Sequence, residues 1–66
     1  MGLSKKELAK ILREAREKKG LTQADVAKKA KLNTNYYAVI ERGEVNPSLE
    51  TLSKILEALN IKLTLP

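Results

Sequence analysis

The chain has 66 residues and a net charge of +5, with 13 Lys and Arg against 8 Asp and Glu, which limits it to one small domain spanning residues 1–66. It contains no Cys and no His. The absence of Cys and His excludes disulfides and metal sites built on thiolate or imidazole ligands. Histidine is also the commonest general base, so we expect neither an enzyme nor a bound metal or cofactor. No apolar run approaches the roughly 18 residues of a membrane span, and the N-terminus has no signal-peptide core, so we expect a cytoplasmic protein without a membrane partner.

Capping residues mark the first two predicted helices. Ser4 and Glu7 have the spacing of a capping box, and Gly20, preceded by two lysines, ends the first helix. The apolar stripe of this helix is Leu8, Ile11, Leu12 and Ala15. Thr22 and Asp25 repeat the capping pattern and open a second helix of about two turns, which ends near Ala30 or Lys31. Its inward residues are Val26, Ala27 and Ala30.

Two further helices and a tail follow. Asn33 is a good N-cap for a third helix that runs to about Arg42, where Gly43 ends it. After a turn at 44–47, Ser48 caps a fourth helix. Its stripe is Leu49, Leu52, Ile55, Leu56 and Leu59. Asn60 can end that helix in the left-handed conformation. Residues 61–66 then alternate apolar and polar positions, which predicts a short strand-like tail on an otherwise all-α, compact four-helix domain.

The second and third helices are joined by about three residues, 31–33, which predicts a helix-turn-helix over about 22–42. Close crossing of two helices needs a small residue at the contact, and Ala27 supplies it. Apolar side chains then fill the wedge between the helices: Val26, Ala30, Leu32, Tyr37 and Ile40. An ordinary helical hairpin tolerates many other spacings, so this pattern favours the helix-turn-helix.

Three blocks of sequence carry a family resemblance: Gly20-Leu-Thr-Gln-Ala-Asp-Val-Ala27, Ile40-Glu-Arg-Gly43 and Asn46-Pro-Ser-Leu-Glu-Thr-Leu52. They resemble the lambda-repressor-like Cro/XRE family of helix-turn-helix DNA-binding proteins, over roughly residues 5 to 60. The resemblance implies that fold and double-stranded DNA as the partner. Two departures are visible. Lys31 stands where the family usually has glycine, which predicts a strained or re-formed turn, and the strand-like tail replaces the usual fifth helix.

The outward face of the third helix is the predicted base-reading surface. At about 100° per residue, Tyr37 and Ile40 fall on the inner side. The residues predicted to contact bases lie opposite: Thr34, Asn35, Ala38 and Val39. An asparagine can pair with an adenine edge, and small apolar groups can pack on thymine methyls. The alternative is an ordinary exposed surface or a small protein interface.

Phosphate contacts are predicted at both ends of the motif. Gln23 resembles the family's glutamine that meets the DNA backbone at the start of the second helix, and Thr22 caps that same end. Arg42, Lys31 and Tyr36 are further candidates, although the Tyr36 ring can equally serve packing. The resemblance also implies a structural salt bridge between Arg16 and Glu41 that ties the first helix to the third.

The basic half of the chain fits a polyanionic partner. Residues 1–31 carry ten cations and four anions, a net +6, whereas 32–66 carry three cations and four anions, a net −1. Neutralising phosphates releases counterions, but a lysine-rich solvated surface would explain the charge equally well. We expect a transcriptional regulator that acts as a repressor or an activator; in the family that the chain resembles, chains of this size also include antitoxins and restriction-system controllers. A homodimer through the tail or the fourth helix would suit a two-fold DNA site. The alternatives are an antitoxin-like interaction module and an engineered monomeric DNA binder.

Overall fold

The computed structural model describes residues 4–61 as four helices. These are α1 (Lys5–Lys18), α2 (Gln23–Ala30), α3 (Thr34–Glu41) and α4 (Leu49–Ala58). The predicted all-α, four-helix class is confirmed over this part of the chain. Of the predicted strand-like tail, only Ile61 falls inside the described residues; it is half-buried against the core, and 62–66 lie outside them. None of the helices in 4–61 is long and apolar enough to cross a membrane.

Each helix begins at the cap that the sequence predicts. Ser4 Oγ accepts from the Glu7 N–H at 3.1 Å, and the Glu7 carboxylate accepts from the Ser4 N–H at 3.0 Å. Thr22 and Asp25 form the same reciprocal pair. The hydrogen bonds from these capping residues lower the pKa of both carboxyl groups, Glu7 and Asp25. The predicted caps of α3 and α4, Asn33 and Ser48, are also present.

Left-handed residues follow the helices. Gly20 and Gly43 take φ of 68° and 75°, and Asn60 takes 57°, as predicted for their positions. Lys31 also has a left-handed backbone, with φ 59° and ψ 43°. Because an L side chain is disfavoured there, the strain predicted at Lys31 is confirmed. The Leu32 N–H, at 2.8 Å from the Ala27 carbonyl oxygen, holds this turn closed.

Each helix contributes one face to the hydrophobic core. Its buried members are Leu12, Val26, Ala27, Ala30, Tyr37, Ile40, Ile55 and Leu59. The pattern predicted two further core residues wrongly. Ile11 is 44% exposed, because α1 turns Leu12 inward and Ile11 lies about 100° around the helix from it. Leu49 is 84% exposed, because it lies in the first turn of α4, about 120° around the helix from buried Ile55.

Candidate nucleic-acid interface

α3 is packed on its inner side by α1 and α2, and this packing decides which of its side chains face outward. Tyr37 and Ile40 are buried among the helices. Ala27 of α2 is completely buried, as expected for the small residue at a close helix crossing. The residues joining α2 to α3 are 31–33, as the sequence predicts. The side of α3 opposite Tyr37 is consequently free to meet a partner.

The structure places all four predicted base-contact residues on this free side. Thr34 and Asn35 are exposed, and Ala38 and Val39 are half-buried at its margins. The Asn35 backbone N–H donates to the Asn33 side-chain oxygen at 2.8 Å, which fixes the first turn of α3. The geometry therefore brings the predicted set together; contact with bases stays a prediction.

The predicted phosphate-contact residues surround this face at three places. Thr22 and Gln23 stand at the N-terminus of α2, where the unpaired N–H groups and the helix dipole favour an anion. Lys31 is exposed in the turn, and Tyr36 is 39% exposed on α3. Arg42 is exposed at the C-terminus of α3. Thr22 Oγ already accepts the Asp25 N–H, so its hydroxyl remains available chiefly as a donor.

A buried ion pair fixes α3 against α1, as the family resemblance implies. Arg16 Nε lies 2.8 Å from Glu41 Oε2, and Arg16 Nη2 lies 3.1 Å from Glu41 Oε1. The two side chains are 14% and 2% exposed. Arg16 Nη1 also donates to the Leu21 carbonyl oxygen at 2.9 Å, which ties the α1–α2 connection to the same guanidinium.

Glu41 stays ionised in this environment. Burial raises its pKa, but the Arg16 guanidinium, the Tyr37 hydroxyl and the Gln23 amide together outweigh that effect and hold the pKa below its usual range. Tyr37, buried beside this pair, has its pKa raised by burial and by the Glu41 carboxylate. Glu41 therefore belongs to the interior of the domain, as predicted, and presents no charge to a DNA backbone.

Sequence reasoning missed two contacts of the candidate interface. Gln23 Nε2 donates to Glu41 Oε1 at 3.2 Å, so the residue predicted to meet phosphate is also joined to the buried carboxylate. Arg42 Nε donates to Glu44 Oε2 at 2.8 Å, which gives the other predicted phosphate ligand an acidic neighbour. The Arg42 hydrogen bond lowers the pKa of Glu44. Both contacts depend on side-chain direction at helix ends, which no periodic pattern encodes.

Comparison with known proteins identifies the family. The helix-turn-helix family model matches residues 12–65, most of the chain. The chain belongs to the Cro/XRE family of helix-turn-helix proteins, which confirms the resemblance of its sequence blocks.

Relatives with names and structures agree with this assignment. The HTH-type transcriptional regulator DdrOP3 of Deinococcus deserti is 41% identical over 54 residues, which are 82% of this chain and 42% of that protein. This chain thus spans less than half the length of that regulator. The restriction-modification controller protein C.AhdI of Aeromonas hydrophila superposes with a TM-score of 0.85 at 36% identity, covering 88% of both chains. The controller protein C.Esp1396I, crystallised as a tetramer with its natural 35 base-pair operator, superposes with a TM-score of 0.86 at 27% identity, covering 94% of this chain and 82% of that one.

Proposed function

We propose that this chain binds double-stranded DNA in a sequence-specific manner and regulates transcription, with α3 lying in the major groove. The observation that carries the proposal is the free face of α3. Its exposed Thr34 and Asn35 are flanked by half-buried Ala38 and Val39, which is a combination of one hydrogen-bonding amide and small apolar groups suited to base edges and thymine methyls. In this proposal the domain acts by occupying its DNA site.

The residues around that face support contacts with the DNA backbone at each end of the face. The N-terminus of α2 offers unpaired N–H groups beside Thr22 and Gln23, while Lys31, Tyr36 and Arg42 supply exposed donors around α3. These groups position a duplex without selecting its sequence. Their cationic members make binding salt-dependent, because each neutralised phosphate releases counterions.

The decisive experiment separates sequence preference from general attraction. Bound duplexes are selected from a random pool, and affinity for the selected duplex is then measured by fluorescence anisotropy across a salt range. Asn35→Ala is expected to lose about 1–3 kcal/mol on the selected duplex and to relax preference at one base pair. Glu14→Asp, which shortens an exposed side chain of α1 without changing its charge, is the control and leaves binding unchanged.

Two outcomes contradict the proposal. Equal losses for Asn35→Ala on every duplex would make Asn35 a backbone contact. Absence of both salt dependence and sequence preference in the unmodified chain would favour a protein-interaction module with the same fold.

We further propose that the chain binds DNA as a homodimer through α4 and the residues after it. Leu49 is almost fully exposed, and with half-buried Leu52, Leu56 and Ile61 it lines an open apolar groove on α4. A second copy would remove this surface from water. Sedimentation at tens of micromolar, alone and on a palindromic duplex, tests the arrangement; a monomer under both conditions contradicts it.

A further inference from the structure

Arg42 and Glu44 form an exposed ion pair where the chain leaves α3. Arg42 Nε lies 2.8 Å from Glu44 Oε2, and Arg42 Nη2 lies 3.5 Å from Glu44 Oε1. Both side chains are 56% exposed, so the pair lies at the surface. Gly43, between them, has a left-handed backbone that turns the chain and brings the two side chains together.

The position of this pair relative to α3 gives it a consequence for DNA. At about 100° per residue, Arg42 lies about 20° around the helix axis from Asn35, on the face proposed to meet the major groove. The Arg42 Nε–H is directed at a carboxylate, and that group cannot donate to a phosphate at the same time. A carboxylate and a phosphate oxygen are therefore alternative acceptors for the Nε–Nη2 edge of the guanidinium, the edge that can hold an oxyanion with two parallel hydrogen bonds. Glu44 also places a negative charge next to the approaching backbone.

We infer that Glu44 is an intramolecular competitor of the DNA phosphate for Arg42, and that it lowers affinity for the specific site at least as much as for non-specific duplexes, because the ion pair must be broken where the phosphate displaces it. This inference rests on the proposed DNA-binding function. On a non-specific duplex, no base contacts hold a phosphate in register, so Glu44 keeps the guanidinium. On the specific site, base contacts at Asn35 hold the backbone beside Arg42 and raise the effective concentration of the phosphate until it displaces the carboxylate.

The test removes the competing charge and keeps the side chain's size. Glu44→Gln is expected to bind a mixed-sequence duplex about two- to fivefold more tightly, the range expected on releasing an exposed ion pair. The slope of log affinity against log salt steepens by up to about 0.9, the value for one additional phosphate contact. Affinity for the selected duplex rises at least as much, because there the unmodified chain must break the ion pair, so the ratio of specific to non-specific affinity does not fall.

Two further variants make the result specific to the pair. Glu14→Gln makes the same charge change on the solvent side of α1, about 200° around that helix from buried Leu12, and it reports the general effect of raising the net charge. Arg42→Ala removes the contested cation, and in that background Glu44→Gln should act more weakly than in the unmodified chain, because only the repulsion between its charge and the phosphates is left to remove. Circular dichroism melts confirm that the exposed substitutions leave the domain folded.

The outcomes separate this inference from the function on which it rests. If the unmodified chain binds the selected duplex but Glu44→Gln and Glu14→Gln have equal effects, the competition is refuted and the DNA-binding function stands. An effect of Glu44→Gln that persists undiminished with Arg42→Ala refutes it in the same way. If the unmodified chain shows no salt-dependent binding to any duplex, the proposed function fails and the inference fails with it.

Discussion

Replacing Arg16 by methionine should remove most of the stability of this domain. The substitution keeps an unbranched apolar stem but deletes both hydrogen bonds to Glu41, whose side chain is only 2% exposed. Gln23 is then the side chain left to donate to that carboxylate within the described chain. Breaking a buried ion pair at one end costs about 3–5 kcal/mol. A domain of this size rarely has more than about 3–5 kcal/mol in total, so Arg16→Met should be largely unfolded at neutral pH.

The pH dependence of this loss identifies its cause. In the unmodified chain, burial raises the pKa of Glu41, but its hydrogen-bonding neighbours, Arg16 first among them, lower it further, so the net pKa is below the usual 4.5. A group whose folded pKa is lowered stabilises the fold above its unfolded pKa, and this contribution is lost as pH falls through the folded value. Without Arg16, burial dominates and the folded pKa of Glu41 rises. Protonation of Glu41 then removes the unpaired buried charge from Arg16→Met. The difference in the free energy of unfolding between the two proteins therefore narrows as the pH falls from 7 to 4.5.

Urea denaturation followed by circular dichroism measures both effects, with trimethylamine N-oxide added where Arg16→Met needs it to fold. Arg13→Met is the control, because Arg13 is an exposed arginine of the same helix and forms no ion pair within residues 4–61. It should change the free energy of unfolding by no more than about 0.5 kcal/mol. A loss below about 1 kcal/mol for Arg16→Met, or one that is the same at both pH values, would refute the reasoning.

Three further substitutions test backbone strain and an unpaired polar group by thermal and urea denaturation. Gly43→Ala should destabilise more than Gly20→Ala: both glycines are left-handed, but a Cβ at 43 would lie 3.2 Å from the Lys6 Cα, whereas nothing lies within 4 Å at 20; equal losses would contradict a steric role for that approach. Lys31→Gly should stabilise by about 1 kcal/mol by relieving the left-handed residue, and Lys31→Ala, which removes the same charge but retains the strain, should not. Tyr37→Phe should destabilise by no more than about 1 kcal/mol: the buried hydroxyl makes no hydrogen bond of regular geometry within the described chain, but it lies beside the Glu41 carboxylate and helps to lower the pKa of that group; a stabilised variant would show that this contact contributes nothing.

The fold was predictable from sequence because its signals are local. The caps at Ser4, Thr22, Asn33 and Ser48 each act within three residues, and they place the starts of all four helices. The helical period alone distinguishes the inward side of α3 from the outward side, because Tyr37 and Ile40 fall together on one side.

The errors arise where burial depends on a neighbouring element. Ile11 and Leu49 have the right spacing for an apolar stripe, but a stripe does not show how far the opposing helix extends. Among the helices of residues 4–61, none covers these two side chains at the margins of α1 and α4. The Arg42–Glu44 pair was missed for a related reason, since it depends on the side-chain directions around the left-handed turn at Gly43.

The buried carboxylate also links the stability of the fold to the geometry of its candidate surface. Glu41 belongs to α3 and receives hydrogen bonds from Arg16 of α1 and Gln23 of α2. One charged group therefore orients α3 and the first residue of α2, the two helices proposed to meet DNA. Gln23 has a second amide N–H and a carbonyl oxygen, so the contact with Glu41 directs its side chain without using all its hydrogen-bonding capacity. An apolar pair in place of Arg16 and Glu41 could restore stability, but it would leave Gln23 without the partner that positions it.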